Sequence, residues 1–419
     1  MNPAGARKVH ALVDQIDQAK NRQLAWERVK ANRGAGGVDG VTLADVEARL
    51  EEPLKRLPEE LRTDTYRPPP VRQKMLPKPG KSGELRPLGI PTIDDRVCQQ
   101  ALLNRLEPIV EAEFEEANFG YRQGRSAKAA LRKVWREIEG GSEGIVEADL
   151  KDFFGTVDHA KLMTLVARKV ADGRVRRIID STLKAGCAVE GRQVPTTAGT
   201  PPGAGLSPVL SHMLLTPLDW EMRRRGYQLT RSGDDGVVTG RTRAEAKRAL
   251  AAAEKILAAL GVRLNPSKTR IVHVRHGFAF LGDKIKRGSQ PLRLAAAKIT
   301  SGARPGARYA YPTEQSLRRF KDRVRRITQR KVPLTTEGIL RALNPVIRGW
   351  GLYDHQAHLR RLFNRLERWM VQRMWSHRDK RWRCGGWKEL PETKLYGERG
   401  LENLIALLPS LASRATLSS

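Results

Sequence analysis

The chain has 419 residues, of which 40% are hydrophobic, so there is room for two or three domains and a sizeable core. Lys and Arg number 77 against 46 Asp and Glu, and a formal net charge of +31 calls for a polyanion, nucleic acid ahead of a membrane surface. No run approaches 18 apolar residues, the start MNPAGARKVHALVDQ lacks the apolar centre of a signal peptide, and Cys98, Cys187 and Cys384 are too few and too scattered for a disulfide framework or a CxxC-type zinc site, so a soluble cytoplasmic protein is expected, with no membrane partner.

In chain order, the spacing of Leu12, Ile16, Ala19, Gln23, Trp26 and Val29 predicts one amphipathic helix over residues 9–31, stopped by the four glycines of NRGAGGVDG. A second helix is expected from about 43 to 57, ending near Pro58. Residues 71–76 and 85–90 are strand-like and flank PKPGKSG, which reads as a hairpin whose positive charges, Lys74, Lys78, Lys81 and Arg86, suit phosphates or simply solvent. A helix over about 92–114 follows, with Val97, Ala101, Leu102 and Leu106 at helical spacing. The turn NFGYRQGRS then precedes a helix over 127–139, and Arg122 and Arg125 in that turn are candidate phosphate contacts or solvated arginines.

Two acidic segments carry the chemistry. In GIVEADLKDFFGTVDH, strand-like Ile145, Val146 and Ala148 lead into Asp149, after which Leu150, Phe153 and Phe154 form an apolar cluster. In LTRSGDDGVVT, two β-prone runs flank Asp234 and Asp235, which reads as a tight hairpin with adjacent carboxylates at its tip. An isolated Asp-Asp-Gly is commonly no more than a turn. Two neighbouring carboxylates nevertheless raise each other's pKa unless a cation compensates them, and Asp149 adds a third. If the two strands are neighbours, the three acids suit two Mg²⁺ ions and a phosphoryl transfer.

The remainder alternates helices and short strands. One or two helices are expected over 159–183, a Gly/Pro-rich loop TAGTPPGAGLSP over 197–208, a helix over 209–222, and a strong helix over 244–260 stopped by Gly261. Short strands are expected over 262–265, 269–274 and 278–282. The order points to an α+β domain around an antiparallel sheet. From Gln315 to Arg383 there are 19 Lys or Arg against 5 Asp or Glu, interleaved with Trp350, Tyr353, Trp369, Trp375 and Trp382, a pattern that serves phosphates and stacked bases. Leu359, Leu362, Phe363, Leu366, Trp369 and Met370 form a helical stripe that reads as core, leaving Arg360, Arg361, Arg365, Arg368 and Arg373 as the better RNA contacts. His355, His358 and Cys384 hint at a metal cluster, but no second Cys pair accompanies them.

Eight segments in order, RGAGGVDG, KPGKSGELRPLGIPT, NFGYRQGRSA, ADLKDFFGTVDH, GTPPGAGLSP, SGDD, LGVRLNPSKT and FAFLG, followed by NPVIRGWGLY, resemble the bacterial group II intron reverse transcriptases, or maturases, of the compact type without an endonuclease domain. The resemblance implies a right-hand polymerase: an N-terminal extension (1–62), fingers and palm with an antiparallel sheet (63–300), a helical thumb or maturase domain (301–383) and a short basic, DNA-binding-like tail (384–419). It implies catalytic carboxylates at Asp149, Asp234 and Asp235 holding two Mg²⁺ ions, triphosphate contacts at Lys78 and Arg86, a steric gate under the sugar at Phe154, and Lys268 near the leaving pyrophosphate. Its implied partners are an RNA template and primer, dNTPs, group II intron RNA and a DNA target.

Two departures stand out. Ser232 and Gly233 replace the aromatic and small residue that usually precede the carboxylate pair, and the usual GTPQGG loop has Pro202 for glutamine and Ala204 for the second glycine. The first removes an aromatic body expected near the primer end. The rival readings are therefore a splicing cofactor with a degenerate polymerase site, a host-adopted reverse transcriptase in repair or defence, and an RNA-templated RNA polymerase.

Overall fold

The computed structural model describes residues 12–77, 83–189, 192–200, 203–287, 308–353, 359–379 and 391–408. They fall into two compact units, Met1–Ile271 and Val272–Ser419.

The first unit opens with α1 (Leu12–Ile16) and α2 (Ala19–Ala31), then α3 (Leu43–Ala48) and α4 (Glu51–Arg62). The single helix expected over 9–31 is broken at Asp17 and Gln18. After the break the buried set is Asn21, Ala25, Trp26 and Val29, while Ala19 and Gln23 are exposed. The cause is polar: the Asn21 amide donates to Ile16 O and Ala101 O at 3.0 Å each, so an asparagine turns inward where periodicity favoured Gln23. The helix expected over 43–57 is likewise two helices. α3 is held by a capping box between Thr42 and Asp45, and α4 runs on through Pro58, which sits inside it at the loss of one backbone bond.

The β1 (Val71–Pro77) and β2 (Leu85–Ile90) strands pair antiparallel, Arg72 opposite Ile90 through Pro77 opposite Leu85. Next come α5 (Ile93–Glu111), capped by Thr92, and α6 (Ala127–Glu139), capped by Ser126. β3 (Gly144–Asp149) leads to the short α7 (Phe153–Thr156), then α8 (His159–Lys169) and α9 (Gly173–Lys184). β4 (Cys187–Val189) runs parallel to β1, and β5 (Arg192–Val194) pairs with β4. α10 (Ser207–Arg224), β6 (Gln228–Ser232), β7 (Asp235–Gly240) and α11 (Arg243–Leu260) follow.

A sheet in the order β6-β7-β3-β8, with β8 at Arg270–His273, carries the acidic segments. Val146, Leu229 and Val238 alternate inward from it and join one core with Leu210, Leu214, Ala249 and Leu257 from α10 and α11. α11 ends on Gly261 at φ +79°, a left-handed position that glycine fills without strain. The stretch expected as a strand over 262–265 forms only an isolated bridge, Leu264 to Leu150.

In the second unit, β9 (Phe278–Phe280), β10 (Asp283–Arg287) and β11 (Arg308–Pro312) form an antiparallel sheet. Helices α12 (Glu314–Ile327), α13 (Thr336–Tyr353), α14 (Arg360–Asp379) and α15 (Glu392–Gly397) complete it. The apolar stripe of α14 is buried as its spacing implied, with Trp369 at its margin. Trp350 stacks on Phe320 at 4.4 Å between ring centroids. Within residues 391–408, Leu395, Leu401 and Leu404 are buried, and Asn344 donates to Gly400 O. Among the described residues no helix is long and apolar enough to cross a membrane.

Candidate active site

The register of the sheet brings the acids together. β3 and β7 are antiparallel with Asp149 opposite Asp235, and β6 and β7 are antiparallel with Ser232 opposite Asp235, leaving Gly233 and Asp234 as a two-residue turn. Gly233 holds φ +69°, the left-handed first position that such a hairpin turn needs. All three carboxylates therefore lie at one end of the sheet. Asp149 and Asp234 are half-buried and Asp235 is exposed at its own surface.

Asp149 is held from the opposite side by the loop after α11. Its backbone oxygen accepts from Asn265 N at 2.7 Å, and its carboxylate accepts from Asn265 Nδ2 at 3.3 Å. Lys268 Nζ donates to both carboxylate oxygens, at 2.9 and 3.0 Å. That bond to Asp149 is the main reason the Lys268 pKa is raised, so its ammonium stays charged. Asp235 is pushed up to about 6, first by the surrounding protein mass and then by Asp234 and Asp149. Solvent reaches Asp235, but its low-dielectric surroundings still penalise the charge. Asp234 is also raised, by burial and then by Asp149, against its own backbone hydrogen bond, Lys268 and Arg231.

Three carboxylates answered by one lysine form an underneutralised cluster of hard oxygen donors. Among the described residues no three His, Cys, Asp or Glu side chains are already gathered at metal-ligand spacing. Mg²⁺ does not require such a cage, since it keeps several waters and is shared between one or two carboxylates and substrate phosphates. The donor set fits that ion.

Below the hairpin lies a buried polar layer that sequence reasoning did not identify. Arg231 is buried, and its guanidinium grips Asp219 with Nε to Oδ1 at 2.9 Å and Nη2 to Oδ2 at 2.5 Å. Its Nη1 donates to Gly233 O at 2.9 Å, inside the turn that carries Asp234. The Arg231 backbone also pairs with Ala117 O and Phe119 N at 2.8 Å each. Arg122, a candidate phosphate contact in the sequence, is instead buried and bonded to Glu111, Glu115 O and Asn118 O. Its role is to fold the NFGYRQGRS turn. Arg125 lies over the Phe119 ring at 5.4 Å.

Phe153 is core, 2% exposed, and Phe154 is partly buried beside it with ring centroids 5.3 Å apart. Phe154 O accepts from Thr200 N at 2.7 Å, tying the Phe-Phe turn to the Gly/Pro-rich loop. That loop needs its glycine: a Cβ on Gly203, at φ +101°, would fall 2.8 Å from Gly89 O of β2. Arg86 is exposed on β2. Lys78 and Pro202 lie outside the described residues, as do His355, His358 and Cys384. Asn265 and Arg231 had weak sequence signals, an Asn-Pro at a turn and a lone arginine within a β-prone run.

Residues 76–285 match the family model of the reverse transcriptase (RNA-dependent DNA polymerase), half of the chain, and the chain belongs to that family. The match covers the hairpin, all three carboxylates and Lys268. Residues 317–392 match the group II intron maturase-specific domain, which makes this a reverse transcriptase of the group II intron type. The chain is 33% identical to Protein YkfC of Escherichia coli over 290 residues, 60% of this chain and 76% of that one. It is 36% identical to the group II intron-encoded protein LtrA of Lactococcus lactis over 196 residues, 47% of this chain and 32% of that one. A right-hand polymerase fold follows from the family, and the antiparallel palm sheet agrees with it.

Proposed function

We propose that the chain extends a primer 3′-hydroxyl with dNTPs on an RNA template, and that Asp149, Asp234 and Asp235 are the ligands of two Mg²⁺ ions. The observation that carries the reading is the register that sets Asp149 opposite Asp235 with Asp234 in the adjoining turn. Bound there, the ions would neutralise the attacking and leaving oxygens of an in-line displacement. Asn265 keeps Asp149 aimed at the site by bonding both its backbone and its carboxylate. Lys268 supplies positive charge at Asp149 and, in this reading, holds a proton for the departing pyrophosphate. Arg86 and Lys78 would meet the triphosphate from the fingers hairpin, and the Phe154 ring would limit space beneath the sugar and so disfavour a 2′-hydroxyl.

The division into an extension (1–62), fingers and palm (63–300), thumb (301–383) and C-terminal region (384–419) belongs to the same proposal. So do binding of group II intron RNA to assist splicing and contact with a DNA target, for which the maturase-specific match is the support. Ser232 and Gly233 favour a second reading, an RNA-binding splicing protein with reduced synthesis.

Primer extension on a defined RNA template, with dNTPs and NTPs offered separately, tests the proposal. The expected outcome is dNTP extension that disappears in Asp234→Ala and Phe154→Ala extension that admits NTPs. Extension chiefly with NTPs in the wild type would refute the sugar choice, and tight RNA binding without any extension would favour the splicing reading.

A further inference from the structure

Tyr121 is the most exposed large hydrophobic side chain among the described residues, at 65%. Its backbone is at φ +49°, a region that a non-glycine residue occupies at a cost unless its surroundings impose it. The surroundings here are explicit. Arg122 pins the turn from one side, and Phe119 N bonds to Arg231 O from the other. Gly120 presses on the catalytic turn so closely that a Cβ on it would fall 2.4 Å from Gly233 N.

The ring that results stands beside the carboxylates. A Cβ on Gly233 would lie 3.2 Å from Tyr121 Cε2, and the ring is 6.1 Å from that of His212 between centroids. Its phenol is close enough to Asp234, Asp235 and Arg86 to feel all three charges. An exposed aromatic face, imposed by strained backbone next to the acids, has no packing purpose on that face. Ser232, two residues before Asp234, supplies no aromatic ring there itself.

We infer that Tyr121 is the aromatic platform for the primer's 3′-terminal nucleotide, doing from the adjacent turn what Ser232 cannot do from the hairpin. The inference rests on the polymerase reading for the identity of the strand. Gly233 belongs to the same device: besides filling the left-handed position of the turn, it has no Cβ and so leaves the ring its place.

The test uses an RNA template annealed to a DNA primer ending in 2-aminopurine, without added nucleotide, so that the readout does not require catalysis. The wild type and Tyr121→Phe are expected to change the probe's fluorescence on binding. Tyr121→Ala, which removes an exposed ring, should melt like the wild type, lose most of that change and bind the primer–template roughly tenfold more weakly, the scale of one lost base–aromatic stack. Gly233→Ala should lose the signal in part, and Ser232→Tyr added to Tyr121→Ala should restore it. Unchanged fluorescence and affinity in Tyr121→Ala would overturn the inference. Extension assays on the same proteins keep the two claims apart. A wild type that extends, with Tyr121→Ala keeping the full wild-type fluorescence change, sinks the platform alone; a wild type that never extends but shows the Tyr121-dependent signal sinks the polymerase reading alone.

Discussion

Three positions before Asp234, Arg231 is locked to Asp219 in a site where neither side chain meets water. Burial pushes the Asp219 carboxyl up, and the guanidinium opposes that by favouring the charged form. Removing one partner strands the other, so Asp219→Ala is expected to cost about 3–5 kcal/mol in urea unfolding. The double variant Arg231→Met/Asp219→Leu should recover most of that stability but extend primers slowly, because Gly233 O loses its donor. Wild-type extension by the double variant would show that the pair serves folding only. His212, nearby and 1% exposed, has a pKa lowered to about 3, by burial first and then by Arg231 and Arg122. Its unfolded value lies near 6.5, so the unfolded chain binds the proton first as pH falls. The neutral histidine's contribution is thus complete above 6.5 and is lost from there down towards 3. Between pH 7 and 5 the wild type should lose about 2 kcal/mol more stability than His212→Leu, and equal losses in both would show that His212 does not titrate differently on folding. Tyr121→Gly should raise stability by about 1 kcal/mol while weakening primer binding, since it relieves the left-handed backbone and deletes the ring.

At the level of elements, the sequence was most legible where a cap and a period agree. The helix over 127–139 is found with the bounds its pattern implied, and Gly261 closes α11 as its residue type suggests, while the structure adds Thr242 as the cap at its start. Thr242→Ala should therefore cost about 1 kcal/mol through the lost bond to Glu245 N; a change within error would make that cap idle. The strands bearing Asp149 and the Asp234–Asp235 hairpin were legible too, but their register was not, because pairing depends on contacts across about 90 intervening residues. The N-terminal helices were misjudged because long-range bonds from Asn21 outweighed local periodicity. Arg122 was misread for the same reason, since an arginine's burial depends on partners that only the fold supplies. In α14, Arg361, Arg365 and Arg368 share a groove with Trp369, off the buried stripe. Arg373 is spent in part on Thr328, at 3.0 Å. Replacing Arg361, Arg365 and Arg368 by Ala should weaken RNA binding and flatten its salt dependence by about 0.7 in logarithmic slope per lost phosphate contact. An unchanged slope would place the RNA elsewhere.

On the scale of the whole molecule, a chain with a net charge of +31 carries three carboxylates together at one end of a sheet. In the proposed reading the two are complementary: the positive charge would draw in a polyanion, and the acids would hold the cation that lets its phosphates react. The composition alone conveyed the first half of that statement. The second half needed the fold, which turns two separate acidic segments into neighbours and backs them with Arg231, Asn265 and Lys268. The claim on which everything else depends is that Asp149, Asp234 and Asp235 form the reacting centre. Its most direct test is single-turnover addition of one dNTP to a primer on an RNA template in Mg²⁺, comparing the wild type with each of the three Asp→Ala variants at equal RNA affinity. The expected result is addition by the wild type and a loss of several orders of magnitude for Asp149→Ala and Asp234→Ala. Addition at the wild-type rate by either variant would contradict the account.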